Sequence, residues 1–221
     1  MGHKVNPVGL RIGITNTWRS RWFNKKEYQI NLRQDIGIRK DIMQKWKSSA
    51  IADVEIERSA SMIKVIIRTA RPGVLIGRGG GGIEDVQKYI KNRFFRGKKT
   101  GLKVEVQEVK HFEENAVLIA QNLAEQLEKR IPFRRAMKSM LDQALKNSSI
   151  KGIKIQMSGR LGGAEMSRVE HSFKGTLPLH TLRANIDFAR VTAYTTYGTL
   201  GVKVWLYKGE VFSKEKEKSK M

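Results

Sequence analysis

The 221-residue chain contains no cysteine. Without a thiol there is no disulfide framework, no thiolate zinc site, no iron–sulfur cluster and no cysteine nucleophile. Histidine is scarce as well: His3, His111, His171 and His180 leave little for an all-histidine metal site, so neither metal nor cofactor is expected. No apolar run approaches the roughly 18 residues that a membrane span needs. The opening MGHKVNPVGLRIGITNTWRS lacks the long apolar stretch of a signal peptide, which makes a cytoplasmic chain the expectation. Acid is in the shortest supply, with 21 Asp and Glu against 43 Lys and Arg, a formal net charge of +22.

A chain so charged repels itself unless a polyanion neutralises it. The basic residues are spread along the sequence instead of lying on one amphipathic helix, which favours nucleic acid over an anionic membrane surface. The apolar share of 40% is enough for a real core and argues against a wholly disordered basic tail protein. The surplus is uneven: net +8 over residues 1–50, +6 over 51–110, only +1 over 111–150 and +7 over 151–221. The near-neutral stretch is therefore expected to be an internal packing element, with basic regions on either side.

Residues 1–37 read as a basic, glycine-punctuated arm. Trp18, Arg19, Arg21, Trp22 and Phe23 mix aromatic and guanidinium groups, which suits stacking on bases and pairing with phosphates. The same segment also reads as a staple, with Trp22 and Phe23 holding the arm on the first domain. From residue 38 the pattern turns regular. Ile38, Ile42, Met43 and Trp46 have helical spacing, 51–58 and 62–69 read as a strand hairpin, 83–95 as a helix, and 102–109 alternates as a third strand. Two helices follow over 114–130 and 133–146, separated by Pro132. Strands are then expected at 151–158, about 164–174, 183–197 and 201–208. The tail 213–221 is low-complexity, charged and expected to be disordered. The order predicts two α+β domains in series, 38–110 and 111–212.

The sharpest local feature is Ile76-Gly77-Arg78-Gly79-Gly80-Gly81-Gly82-Ile83. Glycine permits positive φ and lets another backbone come close, and amides at a following helix start attract anions. Gly77, Gly79 and Gly82 satisfy the dinucleotide fingerprint literally. Arg71-Pro72-Gly73 interrupts any preceding strand, however, and no further βαβ units follow. A Walker loop fails because no Lys-Ser or Lys-Thr follows the glycines. An NAD- or nucleotide-dependent enzyme is thus the weakest reading, and no catalysis is expected. The remaining readings are a GxxG loop, Gly77-Arg78-Gly79-Gly80, that clamps single-stranded nucleic acid beside a groove formed by Val74, Leu75, Ile76 and Ile83, or a tight turn that merely packs two helices. The helix–strand–strand–helix–loop–helix–strand order around this loop resembles a type II KH domain over about 38–110.

Further segments carry a wider resemblance. MGHKVNPVGLRIGI, RPGVLIGRGG, IPFRRAMK, SGRLGGAEMSR, PLHTLRANIDFA and TTYGTLGVKVWLYKGE occur in the order of the family of bacterial small-ribosomal-subunit protein S-three, and cover nearly the whole chain up to about residue 212. The resemblance implies a type II KH domain followed by a second α+β domain of two helices packed on a mostly antiparallel sheet. It implies a structural constituent of the head of the small subunit, bound to small-subunit ribosomal RNA and lining the channel through which mRNA enters. It implies neighbours S-ten and S-fourteen, with S-two nearby, and no membrane or small-molecule substrate. It also implies that Arg134, Arg135 and Lys138, at the start of the second C-terminal-domain helix, face incoming mRNA and help to unwind it. Without the resemblance these three residues read as a solvated helix face. Lys4, Arg11, Arg19, Arg21, Arg160, Arg168, Lys174 and Arg183 are read as ribosomal RNA or partner contacts. His171, Ser172, Asp187 and His180 invite a catalytic triad, but no arrangement of nucleophile, base and oxyanion donors accompanies them, and structural roles are expected. The rival to a ribosomal constituent is a free KH-type regulator or processing factor that binds single-stranded RNA through Gly77–Gly80.

Overall fold

The computed structural model describes residues 4–59, 61–96 and 101–212, so the charged tail 213–221 lies outside the described residues. The helices are α1 (Pro7–Leu10), α2 (Tyr28–Lys45), α3 (Pro72–Ile76), α4 (Gly81–Phe94), α5 (Ala116–Glu128) and α6 (Phe133–Leu145). The strands are β1 (Ser20–Arg21), β2 (Ile51–Arg58), β3 (Met62–Thr69), β4 (Gly101–Glu108), β5 (Gly152–Gly159), β6 (Arg168–Gly175), β7 (Ala184–Thr195) and β8 (Gly198–Glu210). The chain divides into two compact units, Trp18–Lys110 and a second that joins residues up to Thr17 to the chain from His111 onward. The expected arm of residues 1–37 is therefore shared between the units.

In the first unit β2 and β3 form the expected antiparallel hairpin, with Ile56 opposite Val65. β4 adds parallel to β3, and the short β1 adds parallel to β2. The order α2-β2-β3-α3-α4-β4 is the one that the KH resemblance requires. Ile38, Ile42, Val54, Ile56, Val65, Ile67, Leu75, Val86 and Ile90 fill the core between helices and sheet. Helix α2 begins ten residues before the expected start at 38. In its first turns the buried positions are polar, Asn31 and Asp35, while Tyr28, Ile30 and Ile36 face solvent. Asn31, Asp35, Ile38 and Ile42 form one stripe at helical spacing, which an apolar pattern hides. Gly37 lies inside α2, where a Cβ would meet the Phe94 ring at 2.7 Å.

Asp35 also settles what the aromatic–arginine segment does. Its fully buried carboxylate pairs with Arg58 and accepts from Ser20 Oγ at 2.8 Å and Trp22 Nε1 at 2.7 Å. Trp22 is thus a staple. Phe23 is not, being 84% exposed, and Trp18 is also exposed.

In the second unit all strand pairs are antiparallel, in the order β6-β5-β8-β7. Helices α5 and α6 cover one face. Leu123, Met140, Ile153, Ile155, Met157, Val202 and Val204 meet there, as two-residue alternation along β5 and β8 demands. Asn115 caps α5, its side chain accepting from Val117 and Leu118 N–H. On the opposite face a smaller cluster of Ala184, Ile186 and Tyr207 packs with Leu177 and Leu179. The first described residues join this unit through Arg11, whose buried guanidinium donates to the carbonyls of Pro7 (3.0 Å), Leu179 (2.8 Å) and Thr181 (3.0 Å).

Candidate nucleic-acid interface

The glycine loop is set by backbone conformations that β-carbons resist. Gly77 ends α3 at φ +68°, and Gly79 and Gly80 follow at +62° and +83° before α4 begins. Arg78 is exposed at the tip. A Cβ on Gly79, Gly80 or Gly81 would meet nothing within 4 Å, so the loop is open to an approaching backbone. Gly82 differs: its Cβ would lie 2.3 Å from the Leu75 carbonyl oxygen. Both readings of the glycines therefore have a physical basis, with Gly82 packing two helices and Gly77–Gly80 shaping an exposed loop. Of the expected groove residues, Val74 is exposed, whereas Leu75 belongs to the core.

The second cluster lies at the start of α6. Burial of Ala136, Met137, Met140, Leu141 and Ala144 turns Arg134, Arg135 and Lys138 outward. Arg134 and Lys138, one turn apart, line an open cleft of about 460 Å³ between α6 and β6, joined there by Lys174 from β6. Glu170 receives Arg168 at 2.9 Å and, more loosely, Arg134 at 3.4 Å, and Asp142 receives Lys174 at 2.7 Å. The bond from Arg134 holds the Glu170 carboxyl below its ordinary pKa, and the bond from Lys174 does the same for Asp142. Arg135 and Lys138 make no ion pair among the described residues. The guanidinium groups of Arg134 and Arg168 both lie over the Phe133 ring, at 5.6 and 5.5 Å.

The remaining expected contacts are less uniform. Lys4 is exposed. Arg19 pairs with Asp53, Arg21 with Glu55 and Glu57, and Arg183 with Glu210, each on a partly exposed surface where a phosphate can compete. Arg160 donates to the carbonyls of Ala164 (2.9 Å) and Tyr197 (3.2 Å), tying two loops together while remaining exposed. Arg11 corrects the expectation. It is fully buried and its Nη donors go to carbonyls of its own unit, which leaves it out of reach of RNA.

Ser172 and His171, adjacent on a strand, point to opposite faces of the sheet, and Asp187 accepts the Ala116 N–H at the start of α5. The strand pairing does bring together a group that the sequence reading passed over. Lys154, Arg190, Lys203 and Trp205 share the face away from the helices. Their signal was the two-residue alternation within 152–159, 184–195 and 198–210.

Two family profiles match the chain: "KH domain" over residues 35–114 and "Ribosomal protein S3, C-terminal domain" over residues 123–206. The chain is 50% identical over 219 residues to the small ribosomal subunit protein uS3 of Bacillus thuringiensis (strain Al Hakam), covering 99% of this chain and 98% of that one. It is 47% identical over 220 residues to the protein of the same name from Ligilactobacillus salivarius (strain UCC118), covering 100% and 99%. To that of Lysinibacillus sphaericus (strain C3-41) it is 47% identical over 216 residues, covering 98% and 97%.

Proposed function

The chain belongs to the uS3 family of small-ribosomal-subunit proteins, and from that premise we propose that it lines the channel through which mRNA enters the subunit, with Arg134, Arg135 and Lys138 touching the message. The observation that carries this reading is the cleft beside α6, where Arg134, Lys138 and Lys174 converge and Arg135 stands exposed nearby. A helix face presenting cations one turn apart attracts a phosphate backbone without reading its sequence, as a channel for every message requires. Unwinding is then electrostatic: each strand released by thermal opening of a hairpin is held by the cations, while the ribosome supplies the movement.

The rest of the surplus charge binds the protein to ribosomal RNA in the head of the subunit. The exposed loop Gly77–Gly80 with Arg78, and the partly exposed Arg19, Arg21, Arg160, Arg168, Lys174 and Arg183, are the contacts for RNA or for neighbours S-ten, S-fourteen and S-two. Lys4 adds to them at the start of the described chain.

The test is translation by subunits carrying Arg134→Ala, Arg135→Ala and Lys138→Ala together. Elongation through an mRNA hairpin is expected to slow several-fold, with unstructured messages and subunit assembly unaffected. Passage through the hairpin at the wild-type rate would overturn the role.

A further inference from the structure

We propose that the face of the second sheet turned away from α5 and α6 is a stacking platform for a single-stranded stretch of ribosomal RNA. Residues paired across antiparallel strands point to the same side, so the register builds this face row by row. Across β6, β5, β8 and β7 the first row reads Phe173, Lys154, Trp205, Phe188, the second His171, Gln156, Lys203, Arg190, and the third Val169, Ser158, Gly201, Thr192. None of these positions holds a carboxylate, although the chain has 21. Of the acids on these strands, Glu170 and Asp187 have the opposite parity and point to the helix side, and Glu210 lies beyond the three rows, opposite Ala184 at the end of β8 and paired with Arg183.

The first row is aromatic and already ordered. Phe188 and Trp205 are in contact at 5.2 Å between ring centroids, and Lys154 Nζ lies 5.7 Å from the centre of the indole. Phe173 completes the row on the edge strand and is 67% exposed, with no core to explain it. At the far end the small cluster of Ala184, Ile186 and Tyr207 packs against Leu177, Leu179 and Trp205, so Trp205 and its neighbour Phe188 are half-buried and fixed in place, while Phe173 and the rows beyond lie open. The second row lies about 7 Å further along the strands. A base stacked on the first row places its phosphate over Lys203 and Arg190. The third row borders a hollow of about 390 Å³ lined in part by Arg190, which extends the cationic character of the second row. A four-stranded sheet backed by two helices, with aromatics and cations interleaved on its open face, fits unpaired bases: every base has a π-face, while a duplex hides its own.

Ribosomal RNA is favoured over mRNA by the strength of such a site. Each base stacked on an aromatic ring is held firmly enough that several together form a lasting attachment. A message must advance at every codon and would be braked there, whereas an RNA that stays in place is anchored.

The test uses small subunits depleted of this protein and reconstituted with the full-length chain. Ultraviolet irradiation followed by digestion and mass spectrometry is expected to find ribosomal RNA nucleotides joined to peptides that hold Phe173, Lys203 or Trp205. Phe173→Ala is expected to weaken retention on the subunit by roughly tenfold, the loss of one stacked base. Phe173→Tyr keeps the ring and is expected to retain wild-type binding. Because Phe173 is exposed, its replacement should leave the thermal unfolding midpoint of the free protein unchanged. Adducts confined to mRNA or to another protein, or wild-type retention of Phe173→Ala, would overturn the proposal. The outcome is separate from that of the mRNA reading, since the α6 variants are scored by passage through hairpins and this one by retention on the subunit.

Discussion

Glu170 sits between two arginines and offsets part of their charge. Its carboxylate takes Arg168 at 2.9 Å and Arg134 at 3.4 Å, with the Arg134 side chain 76% exposed. So exposed a pair is weak, and it serves more to set the local charge than to hold the fold. Glu170→Gln is expected to raise the affinity of the full chain for single-stranded RNA several-fold. The slope of log affinity against log salt should steepen by about one, read from titrations at several salt concentrations. The pH dependence follows from the direction of the shift. A carboxyl with a depressed folded-state pKa contributes its pairing fully above the ordinary carboxylate range, near about 4.3, and loses it as pH falls through the depressed value. Between about pH 6 and 8 the pair is therefore constant, and RNA affinity should not vary through it. Arg134, Arg135 and Lys138 were legible in the sequence because helical spacing puts them outside the buried stripe. Glu170 was not, because it meets Arg134 across 36 residues, through the placement of β6 beside α6.

At the scale of the element, adjacent glycines in one loop have opposite roles. Gly82→Ala would drive a Cβ to 2.3 Å from the Leu75 carbonyl oxygen, between α3 and α4. Backbone must shift to admit it, and the variant is expected to lose about 1–3 kcal/mol of stability. Gly81 has helical dihedrals, φ −58° and ψ −31°, and open space around its Cα. Gly81→Ala is expected to gain about 0.5–1 kcal/mol, because alanine loses less chain freedom on folding. Urea unfolding of both variants checks the sign of each. Strands β2 and β3 were readable to the residue, since β-branched runs bounded by a short turn leave little choice. The start of α2 was not, because its first buried positions are Asn31 and Asp35, chosen to receive Arg58 from β2 and not to avoid water. Gly37 likewise reads as a boundary in sequence and acts as a seat for the Phe94 ring.

For the whole molecule, the surplus of charge forecast the partner and the fold distributed it. Arg11 shows the difference: one basic residue among many in the sequence, it is spent on the carbonyls of Leu179 and Thr181, about 170 positions away. Arg11→Ala leaves those carbonyls without their donor and a void where the guanidinium lay, for an expected loss of about 3 kcal/mol. Hydrogen exchange should place the lost protection in β7 and the segment 176–183. The sequence by itself determined the class of partner, the two α+β domains, the glycine loop and the outward triplet on α6. Each of these follows from composition or from periodicity over a few residues. Tertiary structure decided which cations remain available, which glycines are steric, and that Phe173, Lys154, Trp205 and Phe188 stand in one row. The reason is physical: a strand dictates the side to which each residue points, but its neighbours are chosen by pairing with strands far away in the chain, and a single residue's slip in register would turn every one of them to the other face.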